Sequence, residues 1–411
     1  MRIDHGWVIV GISVVLLVLT VGTTAYAFGL FVLPVSHEFG LSRANVNTGL
    51  IVLNVGIAAF SPFVGRLLDS TSVRLVLGLS GAAFVAGFVV LALSRNIWLS
   101  AAMLAGPIAL GVVGVGTLTT TALVARWFTA QRGRAMAIAA TGFSLGSIVV
   151  VPPVGFLIAS LGWRPTLIVE AMVIGLIIVA VLPLVRNPPP ERTPKDVIAD
   201  RAPDGGSGPT GPLPTARLLQ NPVFWMITGS LGLTFGVLQT IVVSLIPHAQ
   251  ESGMSIAQAA SLVSIYGAMA LAGKVALAWV GDRIDRTVLL AILFGLVALV
   301  SSALLIAHSY PALVVNSAII GCAAGAMTPA FTALLADRFG AASIGTAYGT
   351  AMTILAIISA ACIRIGGEMY DRTGSYDAMF IAFGAVGALA TLVMFTSRAV
   401  HSTEVQSNSC P

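Results

Sequence analysis

Apolar runs of twenty or more residues, almost free of charge, follow one another from end to end of this 411-residue chain. A helix rises 1.5 Å per residue, so each run is long enough to cross a hydrocarbon layer about 30 Å thick. Hydrophobic residues make up 57% of the chain and charged ones only 9%, whereas soluble domains carry about 25% charge. No water-soluble core buries that much apolar surface. Lipid cannot satisfy backbone N–H and C=O groups, so each run must satisfy its own and reads as a helix.

Charged residues and Pro/Gly punctuation divide the runs into spans at 8–34, 45–67, 74–94, 98–126, 135–160 and 164–185, then 221–248, 257–281, 287–307, 311–337, 344–369 and 377–397. The expectation is an all-α membrane protein of twelve transmembrane helices, arranged as two pseudo-symmetric six-helix bundles. The first 27 residues imitate a signal peptide, with Arg2 and Ala25-Tyr26-Ala27 as a mock cleavage site. The apolar stretch from Trp7 exceeds the usual 7 to 15 residue core and runs past Phe28, so it reads as the first span.

The segment from Arg186 to Arg217 contains Pro188-Pro189-Pro190 and Asp204-Gly205-Gly206-Ser207-Gly208, too polar and breaker-rich to pack. Domain boundaries follow: a bundle at 1–186, a linker at 187–219, a bundle at 220–398 and a tail at 399–411. Fifteen Lys and Arg fall on the side of the N-terminus, linker and tail, and only Arg43, Arg95, Arg164 and Arg372 on the other. The excess of basic loops marks the cytoplasmic side, so both termini are expected inside an inner membrane crossed many times. The net charge of +5 belongs to those loops; no basic stripe interleaved with aromatics suggests nucleic acid. Cys322, Cys362 and Cys410 suggest neither a disulfide framework nor a metal site.

An internal repeat supports two halves. Thr121 to Phe128 (TALVARWF) matches Thr332 to Phe339 (TALLADRF) at an offset that also superposes Gly114 on Gly325 and Gly155 on Gly366. Gly65 to Asp69, ending the second span, matches Gly281 to Asp285, ending the eighth. Paired bundles joined by a flexible tether suit a carrier that rocks about a midplane site.

Four ionisable side chains lie inside apolar runs. Lys274 is eight residues from Asp282, about 12 Å of helix from the cytoplasmic end. A cation there costs several kcal/mol unless it meets a wet cavity or a partner. Anchoring of a ligand is therefore its expected role, with snorkelling to the headgroups as the alternative. Gly267 and Ala270 share its helical face and leave room for a small ligand. Arg364 and Glu368 are one turn apart, a spacing at which side chains meet, and read as a helix brace or a gate. Glu170, six residues into the sixth span, is either a proton carrier or, as expected of a peripheral span, a partner of Arg164 or of headgroups.

The motifs give these spans a family likeness. Gly65 to Arg74 resembles the Gly-x-x-x-Asp-x-x-Gly-x-Arg loop of the major facilitator superfamily, with Ser72 in place of its second glycine. Arg132-Gly133-Arg134-Ala135 through Gly142, Gly146, Pro152, Pro153 and Gly155 to Gly162-Trp163-Arg164 is similar to the monocarboxylate-porter-like branch, as is Asp4-His5-Gly6-Trp7. The resemblance implies the major facilitator fold and movement of a small organic anion, often a monocarboxylate, with a proton. It places Lys274 where that family commonly has an arginine gripping the carboxylate. It also implies a lining drawn from Tyr26, Phe28, Asn54, Thr119, Thr120, Gln239, Tyr266, Thr328, Phe331, Tyr348 and Met352. Asp69 and Arg74 take a gating role, in which an acid near a helix N-terminus favours one conformer.

No Walker-type phosphate loop occurs, so coupling is expected from an ion or substrate gradient. Three functions compete: a proton-coupled monocarboxylate carrier, an exporter or anion exchanger of the same fold, and an intramembrane enzyme or receptor. The third lacks a metal cluster and a nucleophile with its base. No cofactor is expected. The expected partners are a small organic anion, a proton and the lipid bilayer, with the monomer as functional unit.

Overall fold

The computed structural model describes residues 5–128, 131–185, 215–280, 284–339 and 344–408. Among these, twelve helices are long and apolar enough to cross a membrane. The first six are α1 (His5–Phe39), α2 (Arg43–Leu68), α3 (Val73–Leu93), α4 (Ile97–Trp127), α5 (Arg134–Leu161) and α6 (Trp163–Val181). The second six are α7 (Pro222–Glu251), α8 (Ile256–Leu277), α9 (Arg286–Ala303), α10 (Tyr310–Phe339), α11 (Thr346–Thr373) and α12 (Asp377–Ser397). All twelve expected spans are present, and the chain is a multi-pass, all-α membrane protein.

Polar caps set the helix starts. Asn96 accepts the amide of Trp98 at 2.9 Å, Asn221 that of Val223 at 2.8 Å, and Asp285 those of Thr287 and Val288 at 3.0 Å. Each satisfies a donor that the helix cannot. Ser72 does the same for α3, accepting the amide of Leu75 at 3.3 Å. A capping hydroxyl thus stands where the loop motif has glycine. At the other end of α1, Gly40 takes a left-handed φ of 60° that terminates the helix. Helix continues through the mock cleavage site, as a π-turn over Gly22–Tyr26 followed at once by Phe28–Phe39.

The chain divides into two compact units: Met1–Leu41 with Thr48–Gly206, and Ser42–Asn47 with Ser207–Pro411. Inside the first, α1 packs on α5 and α4, and α3 on α6 and α4. Inside the second, α7 packs on α11 and α9 on α12 and α10, so these three pairings each have a like one six spans on. Most of the expected linker lies outside the described residues, as do Cys410 and the repeat residues Asp282 and Arg283. Its last part forms a short helix, Thr215–Gln220. The tail begins in helix as well, because the helix starting at Asp377 continues to Asn408.

Candidate functional site

In the second unit the closest helix contact is the seam between α8 and α10. Two glycines of α10 make it possible: a Cβ on Gly325 would lie 1.9 Å from the carbonyl oxygen of Ala270, and one on Gly321 2.2 Å from that of Tyr266. Backbone meets backbone, which only glycine permits. Ala270, on the helical face that carries Lys274, therefore presents its backbone to α10. Lys274 follows one turn along α8, half-buried, and is the single charged side chain between Ile256 and Leu277.

The remaining candidates of this unit lie on α7, α8, α10 and α11. Gln239 on α7 is half-buried and accepts a hydrogen bond from Ser359 of α11 at 2.6 Å. Phe331 on α10 is fully buried and its ring lies 6.4 Å from that of Tyr348 on α11. Tyr266 and Met352 are half-buried, and Thr328 is exposed. The structure thus brings together Gln239 with Ser359, and Phe331 with Tyr348.

In the first unit, Tyr26 closes the π-turn of α1 and is half-buried, as are Phe28 and Asn54. Thr119 and Thr120 are fully buried, and their hydroxyls donate to the carbonyls of Gly114 at 2.7 Å and Gly116 at 2.9 Å. Both therefore support a kinked stretch of α4, where π-turns occupy Leu104–Ile108 and Val112–Thr117 and Gly116 leaves helical geometry at φ −88°, ψ −122°. π-turns inside helices frequently accompany functional positions.

Of the gating candidates, Arg74 donates from Nε to the carbonyl of Leu182 at 2.7 Å, tying the start of α3 to the end of α6. Asp69 lies in the last turns of the helix Arg43–Ser70. Arg364 and Glu368 approach to 3.7 Å, and Glu368 also accepts from Arg372 at 3.1 Å, so the expected pair is the first rung of an exposed ladder on α11. Arg364 further donates to Asn45 at 3.2 Å.

Glu170 departs from expectation. Arg164 gives its guanidinium to Glu38, at 2.7 and 2.9 Å, and to the carbonyls of Ala92 and Ser94 at 2.6 Å. Glu170 instead points inward and is only 5% exposed. Neither of its carboxyl oxygens has a hydrogen-bond partner. The position of α6 alone did not reveal which way its acid faces.

A cluster around Arg43, in the second unit's hexapeptide, escaped the sequence reading. Its guanidinium reaches Glu251 and the Tyr376 hydroxyl and lies 3.8 Å from the centre of the Tyr370 ring. Asp371 accepts the amides of Arg43 and Ala44 at 2.9 and 3.0 Å, a helix cap supplied from more than 300 residues away. Burial pushes the Tyr376 phenol above its ordinary range, so it acts here as a neutral hydroxyl. Beside it, His248, Glu251, Ser252, His308 and Asp377 line an open depression. The one sequence signal was that Arg43 is among four basic residues on the outer side.

Twelve spans in two like sets of six, with single ionisable groups held inside the helices, define a polytopic membrane carrier. The chain belongs to the Major Facilitator Superfamily, whose sequence profile matches residues 14–255 and 236–409. It is 27% identical to Monocarboxylate transporter 13 of Rattus norvegicus, over 90% of this chain and 85% of that one. It is 25% identical to the Oxalate:formate antiporter of Oxalobacter formigenes, over 70% of this chain and 66% of that one. The same fold is seen in the crystal structure of a bacterial homolog of the human lysosomal transporter Spinster, with a TM-score of 0.67 at 14% identity, covering 97% and 95% of the two chains. The family and these relatives are transporters, and this chain is a transporter rather than an enzyme.

Proposed function

We propose that the protein is a secondary active carrier of a small organic anion, a monocarboxylate of lactate or pyruvate type taken up with a proton. The observation that carries this reading is Lys274, the one charge on its span, half-buried near the end of the apolar helix α8. A carboxylate beside an ammonium in that setting lowers the cost of keeping the charge among apolar spans. A relative named for monocarboxylates and another named for oxalate and formate support an anionic cargo. The second name also supports anion exchange as the mode of transport.

In this reading the bundles 1–186 and 220–398 move against each other about the 187–219 linker and expose Lys274 to the two sides in turn. Tyr26, Phe28, Asn54, Thr119, Gln239, Tyr266, Thr328, Phe331 and Tyr348 form a mainly apolar lining. Asp69, Arg74, Arg364 and Glu368 bias the conformers. The protein acts as a monomer in the inner membrane with both termini and the tail 399–411 cytoplasmic, the side rich in Lys and Arg.

The test is uptake of labelled lactate by proteoliposomes under an inward proton gradient. Lys274→Ala is expected to abolish uptake and Lys274→Arg to keep part of it, because arginine preserves the charge but not the compact point-like shape. Uptake by the alanine variant at the wild-type rate would remove the anion-binding role.

A further inference from the structure

Helix α6 has two unlike faces. Leu167, Glu170, Ala171, Ile174 and Ile178 are all buried, whereas Met172, Val173, Leu176 and Val179 are exposed. The buried face packs on α3 and on the Val151–Leu161 part of α5. Along the α3 seam a Cβ on Gly81 would touch Ile178 and one on Gly175 would touch Val85, so the two helices run antiparallel in close contact. Glu170 continues this apolar stripe toward the outer end, one acid among aliphatic side chains.

No charge faces it. On α3 the one charged residue is Arg74, at the opposite end and bonded to the Leu182 carbonyl. The packed part of α5 carries no titratable residue, and Arg134 lies at that helix's far end. On α6 itself Arg164 is committed to Glu38, Ala92 and Ser94. An ionised carboxylate without a single donor costs several kcal/mol to bury, far more than the neutral acid. The geometry therefore accommodates a carboxylic acid, at a place where an aliphatic residue would pack as well.

We infer that Glu170 is a proton-binding site of the first unit, loaded in the conformation seen here and discharged when the α3–α6 seam opens to water. The O–H bond of the acid breaks, the electron pair stays on the carboxylate, and the proton passes to a water molecule. Reloading reverses the step from the opposite side of the membrane. This deepens the proton-coupled reading above and rests on it for its role in transport, though not for the protonation itself.

Two measurements on the full chain test it. Infrared difference spectra of wild type against Glu170→Gln in lipid nanodiscs at neutral pH are expected to show the carbonyl stretch of a protonated carboxyl, shifted in D2O and missing from the variant. Glutamine imitates the neutral acid in shape, so the variant keeps its thermal stability. In proteoliposomes the variant is expected to lose the response of lactate uptake to an inward proton gradient while lactate exchange at equal pH stays at the wild-type rate. Absence of the protonated band would overturn the inference whatever the cargo, as would an unaltered proton-gradient response in the variant. If the wild type carries no lactate yet the band is present, the cargo assignment fails and the proton site stands.

Discussion

The two units descend from one repeated pattern yet solve the same packing problem differently. In the second, α7 and α10 are unbroken helices of 30 residues. Their counterparts in the first, α1 and α4, are interrupted by π-turns at Gly22–Tyr26, Leu104–Ile108 and Val112–Thr117. The glycines matched by the repeat show the same divergence. Gly325 abuts the backbone of Ala270, whereas Gly114 abuts the side chain of Ser80. The ionisable groups inside the spans differ too: the first unit buries an acid, Glu170, and the second half-buries an amine, Lys274. Helix order and several pairings are shared, while regularity and the ionisable groups are specific to each unit.

The sharpest way to break this comparison is to give both glycines a methyl group. Gly325→Ala puts Cβ into a carbonyl that cannot rotate away and is expected to cost about 3 kcal/mol or more, read as a large fall in the melting temperature in detergent. Gly114→Ala meets a serine instead and is expected to cost about 1 kcal/mol less. Ser80→Gly should restore the Gly114→Ala protein, and no side-chain change at Ala270 should restore Gly325→Ala. Equal losses at both positions, or rescue at both, would erase the distinction between backbone and side-chain contact.

A smaller effect separates the two shared guanidiniums, Arg43 and Arg164. Arg43→Ala and Arg164→Ala each remove a guanidinium shared among several acceptors, and each is expected to cost about 1 to 2 kcal/mol. Only Arg43→Ala should also speed hydrogen exchange at the start of the helix that Asp371 caps. Hydrogen-exchange mass spectrometry of both variants checks this, and unchanged exchange near Arg43 would show that the cap is independent of the cluster. The smallest effect belongs to the exposed ladder on α11. Arg364→Ala is expected to change stability by about 0.5 kcal/mol or less, because both partners are well solvated. A melting-point loss as large as that of Arg43→Ala would mean that the ladder braces the fold.

How much of this was readable beforehand follows from where the constraint lies. The twelve spans were legible because crossing a membrane sets a minimum apolar length, and their approximate ends because charges and Pro/Gly punctuation interrupt the apolar runs. The π-turns were not, since Gly22-Thr23-Thr24 and Gly106-Pro107 are compatible with ordinary helix and only packing selects the extra residue per turn. Glu170 was visible as an acid inside an apolar run but not its direction, because both faces of α6 are apolar and the choice belongs to α3. The Arg43 cluster joins residues more than 200 positions apart, which no local spacing announces. Lys274 stood out from the sequence at once, although the seam that positions it needed Gly321 and Gly325 to be seen against α8.

The proposed role of Lys274 in α8 is to meet a negatively charged cargo. The direct measurement is the melting temperature of purified wild type and Lys274→Ala with saturating lactate or lactamide, its uncharged analogue. Binding to the folded state raises stability by mass action, so lactate should stabilise the wild type, lactamide should not, and the variant should respond to neither. Equal stabilisation of the alanine variant by lactate would contradict the account.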